Sequence, residues 1–286
     1  MTTLIDPDQL HTLLVSVART SAWLAITILL FGPLEALFAV RRQQFFHPGW
    51  ATNLGWYFVN SLLTVALLAP PLALLATIVH AVLPASLTSA AAALPLWARM
   101  LLALAVGEIG FYWGHRWSHE WPLLWRFHAV HHSAEHMNFL VNTRAHPVDM
   151  LFTRLCGMTL LFATGLASTM GGKPDIVPML VLIVGTLWSF FIHANLRWRL
   201  GPLEWLLSSP AFHHWHHTRD DHQDHNYASM LPVFDRIFGT HYVPKHWPAA
   251  YGTATPMPAS LTGQLLQPFA RRAPAPPATA AVSGTD

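Results

Sequence analysis

Long apolar stretches alternate with short polar segments along most of this chain. A hydrocarbon core about 30 Å thick requires roughly 20 apolar residues for each spanning helix. Five segments approach this length: residues 13–40, 54–83, 96–113, 150–170 and 176–192. The pattern predicts an all-α integral membrane helical bundle with about four to five membrane segments. Pro70 and Pro71 are expected to kink the second segment or to split it into a re-entrant pair.

Composition favours the same class of protein. Of the 286 residues, 53% are hydrophobic and only 10% are charged. The net charge of +2 is too small, and the basic residues are too scattered, for a nucleic-acid surface. The single cysteine, Cys156, excludes an intrachain disulfide and a cysteine-based zinc or iron–sulfur site. Because Asp6 and Asp8 replace the basic start of a cleavable signal peptide, the first apolar segment is expected to remain as an anchor.

Basic residues indicate how the bundle is oriented. Placing Arg41 and Arg42 in the cytoplasm follows the positive-inside rule. Five crossings, with a turn at residues 171–175 between the last two segments, then place both histidine-rich loops on that same side. We therefore expect a cytosolic, histidine-rich helical cap that carries the active site. The membrane would be the plasma or inner membrane in a bacterium and the endoplasmic reticulum in a eukaryote.

Histidines supply the candidate chemistry. The chain has 19 of them, against 16 lysines and arginines, and many lie in three clusters with spacings of three and four residues. This spacing places imidazoles on one helix face, and imidazole binds iron, zinc, copper or nickel. Since a structural zinc normally takes four ligands, so many rings favour two metal ions. The candidate catalytic and metal-binding residues are His115, His119, His128, His131, His132, His193, His213, His216 and His217.

Other polar residues near the clusters are weaker candidates for a role at the metal site. Glu108 lies on the helix face of His115 and His119, and we expect it to accept a hydrogen bond from a ligating imidazole or to pair with an arginine. Five acids either orient imidazoles or are solvated loop residues: Glu120, Asp149, Asp221, Asp224 and Asp235. His214 and His222 are expected to be bystanders. Intermediate candidates are His136, His146 and His225. Interfacial or loop positions are expected for His11, His47, His80, His241 and His246.

Three stretches resemble the histidine boxes of the fatty acid hydroxylase and sterol desaturase superfamily. They are residues 111–120, 125–133 and 210–217, and the resemblance covers roughly residues 99–245. Supporting segments are residues 144–147, 191–195, 225–228 and 234–240. Glu120 and residues 200–204 are most similar to alkylglycerol monooxygenase and to bacterial sterol desaturase-like proteins. Arg197 is a departure, because some members carry a further histidine there, and a tenth ligand is then missing or comes from elsewhere.

The resemblance implies a membrane-bound di-iron enzyme that hydroxylates or desaturates a C–H bond of a fatty acid, sterol or related lipid. Its cofactors would be two iron ions, with zinc as a substitute, and O2 would be the co-substrate. Its partners would be the lipid, the membrane and a separate electron donor such as a ferredoxin, a cytochrome b5-like protein or a reductase. The lipid, the choice between the two reactions and the oligomeric state stay open.

Two other classes of protein fit parts of the pattern. A metal transporter predicts polar or charged residues within the crossings, which are mostly apolar and have Glu108 and Arg154 among their few charged residues. A zinc-dependent membrane hydrolase needs an open coordination position and a general base. Metal content and oxygen uptake separate these alternatives from a di-iron oxygenase.

We divide the chain into three parts. Residues 1–95 form N-terminal membrane segments, and residues 96–250 form a histidine-box catalytic domain that includes two further membrane segments. Residues 251–286 are rich in proline, alanine, serine and threonine and are expected to be a disordered tail.

Overall fold

The structure is a computed structural model that describes residues 6–167 and 176–270. Within those ranges it contains helices and connections but no named β-strand. The α-helices are α1 Pro7–Phe38, α2 Trp50–Val82, α3 Ala85–Ala93, α4 Leu96–Glu120, α5 Pro122–His132, α6 Pro147–Ala163, α7 Ile176–His193, α8 Pro210–His216, α9 Val233–Ile237 and α10 Leu261–Leu266. Single 3-10 turns lie at Phe139–Thr143, Gly201–Trp205, Asp221–Asp224 and Gln267–Phe269.

Four helices of the described chain are long and apolar enough to cross a membrane: α1, α2, α4 and α7. Large apolar side chains on the first two are exposed, such as Leu29 at 76% and Val82 at 75%. A lipid environment covers such side chains without the cost of apolar contact with water. The prediction of an all-α membrane bundle is therefore confirmed. The fourth predicted segment forms α6, which at 17 residues is shorter than the other four.

Helix α2 runs without a break through Pro70 and Pro71. Of the two expected outcomes, the split into a re-entrant pair is therefore wrong, and the kink stays a prediction. Each proline removes one backbone donor and crowds the carbonyl four residues earlier, while the rest of the helical hydrogen bonds stay intact. In apolar surroundings those remaining bonds favour one continuous helix. The turn predicted at residues 171–175 lies outside the described residues.

Glycines let α4 and α6 pack backbone to backbone. A Cβ atom on Gly110 would lie 2.5 Å from the carbonyl oxygen of Cys156, and one on Gly114 would lie 3.3 Å from the Cα of Thr153. Because the later glycine meets the earlier residue of α6, the two helices are antiparallel. Small residues four positions apart allow this close approach between membrane helices. This contact fixes the position, along the helix axes, of the histidine-bearing end of α4 relative to the start of α6.

Connections at one end of the bundle are tied together by polar side chains. Asn195, which follows α7, accepts hydrogen bonds through Oδ1 from Val40 N at 3.1 Å and Arg41 N at 3.2 Å. Glu35 on α1 accepts bonds from Asn195 N at 2.9 Å and Phe139 N at 2.8 Å. The connector between α1 and α2 therefore lies at the same end as the segment that follows α7.

The prediction of a disordered tail from residue 251 is wrong for residues 251–270. Helix α10 packs against α2, where the buried Gln264 accepts a hydrogen bond from Trp56 Nε1 at 2.7 Å. Leu261 lies 3.1 Å from the position of a Cβ on Gly55. The composition of this region gave no sign of the short helix. The side-chain amide of Gln264 accepts a hydrogen bond from the buried indole N–H of Trp56, which is favourable in an apolar setting. Residues 271–286 lie outside the described residues.

We predict that Gly110→Ala destabilises the protein although alanine is the better helix former. The added Cβ would overlap the backbone of α6, and overpacking costs about 1–3 kcal/mol, whereas the gain in helix propensity is at most about 1 kcal/mol. Gly185→Ala in α7 is the matched control, because a Cβ there meets nothing within 4 Å. Thermal unfolding in detergent should show a lower midpoint for Gly110→Ala alone. Equal midpoints for the two variants would contradict the contact.

Candidate metal centre

The nine candidate histidines converge in two buried groups. Within each group the potential ligand nitrogens all lie within 4.8 Å of one another. The first group contains His115, His119, His128, His132 and His216. The second group contains His131, His193, His213 and His217. The structure thus brings together every histidine that the sequence analysis proposed as a ligand.

Two short helices divide their histidines between the groups. On α5, His128 and His132 are four residues apart and face the first group, while His131 faces the second. The run at α8 is divided in the opposite sense: His213 and His217 belong to the second group and His216 to the first. Rings from α4 complete the first group, and His193 at the end of α7 completes the second.

Hydrogen bonds fix the tautomer of six of the nine rings. In each, Nδ1 donates to an oxygen that accepts, which leaves a lone pair on Nε2 of the neutral ring. His115 Nδ1 donates to Tyr227 O at 2.7 Å, and His216 Nδ1 donates to His225 O at 2.8 Å. The other four bonds join His119 to Asp224, His128 to Asp149, His131 to Arg144 O and His193 to Ser189 O.

The resulting lone pairs face one another. His115 Nε2 lies 3.0 Å from His216 Nε2 and 3.1 Å from His128 Nε2. In the second group, His193 Nε2 lies 3.2 Å from His131 Nε2. Two unprotonated nitrogens at this distance repel each other unless a cation lies beside both. Nitrogens about 2.1 Å from one cation are about 3.0 Å apart at right angles and about 3.4 Å apart in a tetrahedron. The donor set therefore fits a metal ion in each group.

Burial keeps these rings in the form that binds metal. It lowers the pKa of His131 to about 3, and neighbouring imidazoles add to the effect. Burial also lowers the pKa of His216 and of His217 well below the ordinary value of imidazole. Neutral imidazole is the ligand form at physiological pH. Nε2 of His119 is buried with no hydrogen-bond partner, as a ligand atom would be.

Two of the five candidate acids contact rings of the groups directly. Asp149, at the start of α6, is buried and accepts from His128 Nδ1 at 3.0 Å. Asp224 accepts from His119 Nδ1 at the same distance, but its side chain is 58% exposed. Glu120 instead pairs with an arginine one turn earlier on α4. The buried carboxylate of Asp149 is the one that holds an imidazole away from solvent.

Glu108 acts on the centre through the backbone, so the prediction that it accepts a hydrogen bond from an imidazole is wrong. Its Oε1 accepts bonds from Met230 N at 2.6 Å and Leu231 N at 3.2 Å. The same segment, residues 225–231, supplies the carbonyl oxygens that hold two rings of the first group. The helical spacing identified the face of α4 correctly, but the loop that covers this face is distant in sequence.

Glu35 is a functional candidate that the sequence analysis missed. Its carboxylate holds the N–H of Asn195, two residues after His193, and thereby fixes the segment that leaves the second group. Glu35 thus fixes the segment after His193 in the same way that Glu108 fixes residues 225–231. The sequence signal for Glu35 is the same as that for Glu108, because an acid inside an apolar segment requires a buried partner.

His214 lies within the α8 cluster but in neither group. Its Nε2 donates to Ala194 O at 3.0 Å, and its Nδ1 lies 2.9 Å from the hydroxyl of Tyr251. These contacts tie α8 to the end of α7 and to the segment before α10. Other histidines that lie outside both groups are His136, His146, His222 and His225.

The two groups differ in size. The first has five rings and the second has four. Arg197, at the position where a further ligand was considered, is exposed and lies in neither group. The second group therefore offers fewer candidate ligands.

Residues 100–240 match the family model described as "Fatty acid hydroxylase", and this range contains all nine histidines of the two groups. This region of the chain belongs to the fatty acid hydroxylase family. The resemblance drawn from the histidine boxes is confirmed. No solved structure matches the chain.

Similar proteins are named as hydroxylases or monooxygenases. The chain is 32% identical over 185 residues to ornithine lipid hydroxylase OlsE of Rhizobium tropici. It is 34% identical over 162 residues to alkylglycerol monooxygenase of Xenopus tropicalis and 31% identical over 153 residues to methylsterol monooxygenase 2-2 of Arabidopsis thaliana. These matches cover 62%, 56% and 51% of this chain, and 52%, 34% and 55% of the respective relatives. The chain therefore matches only part of each relative.

We predict that Glu108→Ala lowers the amount of metal that the purified protein retains. The change leaves two buried N–H groups without an acceptor, at about 1–3 kcal/mol each. Loosening the carbonyls that orient ligand rings reduces metal affinity roughly 10- to 100-fold. Metal content would be measured by mass spectrometry, together with thermal unfolding.

The matched control for this prediction is Glu120→Ala, which removes an exposed carboxylate from the same helix and should keep the metal. Glu108→Gln retains a carbonyl oxygen that can accept from the backbone, and should recover part of the loss. Metal retention equal to wild type in a folded Glu108→Ala protein would show that Glu108 does not position the rings.

Proposed function

We propose that this chain is an integral-membrane di-iron oxygenase that hydroxylates a C–H bond of a lipid with O2 and electrons from a separate donor protein. The observation that carries the proposal is the pair of adjacent imidazole groups at one end of a bundle of membrane-length helices. The relatives described above, which are named hydroxylases and monooxygenases, favour hydroxylation over desaturation. They give no support to a zinc hydrolase or a metal transporter.

The nine histidines would hold one iron ion in each group. Iron bound by neutral imidazoles would supply the reductive activation of O2. In the net reaction one oxygen atom enters the C–H bond and the other leaves as water, with two electrons and two protons from the donor and solvent.

The protein's own residues hold the two groups side by side and exclude water. The rings of His132 and His217, one from each group, stack with centroids 4.6 Å apart. Both residues are fully buried. Two ions held here would therefore be neighbours in a dry site, which is the arrangement that joint action on one small molecule requires.

The bundle explains how lipid and electrons reach the same centre. Ligand rings lie at the ends of α4 and α7, two helices of membrane length, so a lipid chain beside them can reach the centre without leaving the membrane. His119 bonds to the exposed Asp224, so the first group lies one side chain from solvent. Arg41 and Arg42 at this end favour the cytoplasmic side, where a soluble donor has access.

His132→Ala and His217→Ala each remove one ring from a different group. We predict that both variants stay in the membrane but lose iron. Their turnover should fall by at least about 100-fold, which exceeds the loss caused by substituting residues that only orient the ligands. His214→Gln is the control, because His214 lies in the same run but in neither group, and this variant should keep its iron. Metal analysis and activity of the purified proteins test this. Normal turnover by a protein without iron would refute the assignment.

Lipid extracts should identify the reaction. Cells that lack the protein are compared by mass spectrometry with cells complemented by wild type or by His132→Ala. We predict that one class of lipid gains a single oxygen with wild type only, and only in the presence of O2. Loss of two hydrogens instead would show a desaturase. A product formed without O2 would rule out the oxygenase.

A further inference from the structure

A cavity of about 300 Å³ lies at the histidine end of the bundle and outside both imidazole groups. One wall is the connector between α1 and α2, and the other is the segment that follows α5. The residues that matter here are Arg41, Arg42, Gln43, His47, His136 and Asn195. Pro48, Glu135 and Met137 also line the cavity, and the side-chain N–H groups of Gln43 and Asn195 already donate to the carbonyls of Met137 and Arg41.

Positive charge dominates the cavity. Arg41 and Arg42 both line it, and the guanidinium of Arg41 also donates to Pro248 O and Ala249 O. The one carboxylate among the lining residues, that of Glu135, forms an ion pair with Arg219 at 2.7 Å. Guanidinium groups bind phosphate and carboxylate through charged hydrogen bonds. The lining therefore favours an anion.

The walls are joined by contacts that shape the cavity in advance. His47 is buried and stacks on His136, with ring centroids 4.9 Å apart. Gln43 Nε2 donates to Met137 O at 2.8 Å. The guanidinium of Arg41 lies 4.5 Å from the ring centre of Tyr251, which holds it at the edge of the site. A ligand would therefore meet a site that is largely formed.

Aromatic residues place the cavity at the depth of lipid headgroups. Phe45 and Phe46 lie in the same connector, and Phe46 is 71% exposed. Phe46 packs edge-on against Trp50, with centroids 4.9 Å apart, at the start of α2. Tryptophan residues at the ends of spanning helices, such as Trp50 here, mark the membrane interface. Basic pockets at this depth bind anionic headgroups.

The cavity also adjoins the candidate centre along the chain. Asn195 in its lining comes two residues after His193, and His136 comes four residues after His132. A headgroup held in the cavity would leave its hydrocarbon chain beside the ends of the helices that carry ligand rings.

We propose that this cavity binds the anionic headgroup of a membrane lipid and so selects the lipid that is presented to the centre. The selection step rests on the proposed function, whereas the binding step does not. A free phosphate ion has the same chemistry as a phospholipid headgroup, so the experiment separates the two.

The test uses the purified full-length protein in neutral detergent. Thermal unfolding is followed while short-chain phosphatidylglycerol, short-chain phosphatidylcholine or glycerol phosphate is added. We expect the wild-type protein to bind phosphatidylglycerol more tightly than the other two. Arg42→Gln should weaken that binding roughly fivefold, as expected for one basic residue near an anionic lipid. Arg197→Gln is the matched control, because Arg197 is exposed and does not line the cavity.

Each remaining outcome overturns part of the proposal. Equal binding of the two lipids, or binding unchanged by Arg42→Gln, would show that the cavity does not select an anionic headgroup. Glycerol phosphate binding as tight as that of phosphatidylglycerol would show an ion site rather than a lipid site. Iron content is measured in the same samples. Iron-loaded protein that does not distinguish the lipids overturns the cavity proposal alone, while iron-free protein that does distinguish them overturns the oxygenase alone.

Discussion

Lone pairs of buried imidazoles are directed at one another in the centre of this protein, and that arrangement is unfavourable without positive charge among them. His115 and His216 show the constraint clearly, because each donates its Nδ1 proton to a carbonyl and turns an unprotonated Nε2 toward the other at 3.0 Å. The surroundings therefore have to hold the rings against their mutual repulsion. Much of the architecture at this end of the bundle serves that purpose.

The imidazole rings are held largely by backbone carbonyls. The segments that carry these carbonyls must in turn be fixed in place. Glu108 binds the N–H groups of Met230 and Leu231, just after the carbonyls that orient two rings. Glu35 fixes the segment after His193 in the same manner. Both acids lie in helices of membrane length, where an unpartnered carboxylate is costly. Their burial is explained because each accepts two backbone hydrogen bonds that the loops could not otherwise satisfy in apolar surroundings.

The sequence revealed the local features and missed the ones that depend on distant contacts. Apolar length predicted the helices, and spacings of three and four residues, together with the histidine boxes, predicted the rings. His193 was found from its position at the end of an apolar segment. The division of rings between the groups could not be predicted, because it depends on how α5 packs on α4 and how α8 packs on α7. The partners of Glu108 and the docking of Gln264 on Trp56 likewise join segments more than 100 residues apart.

Helix α5 contributes to both groups within a single turn, with His131 on one side and His128 and His132 on the other. Ordering that turn around the first ion fixes the backbone on which the second group also depends. The entropy of ordering would then be lost once rather than twice, which would offset part of the repulsion between two neighbouring cations.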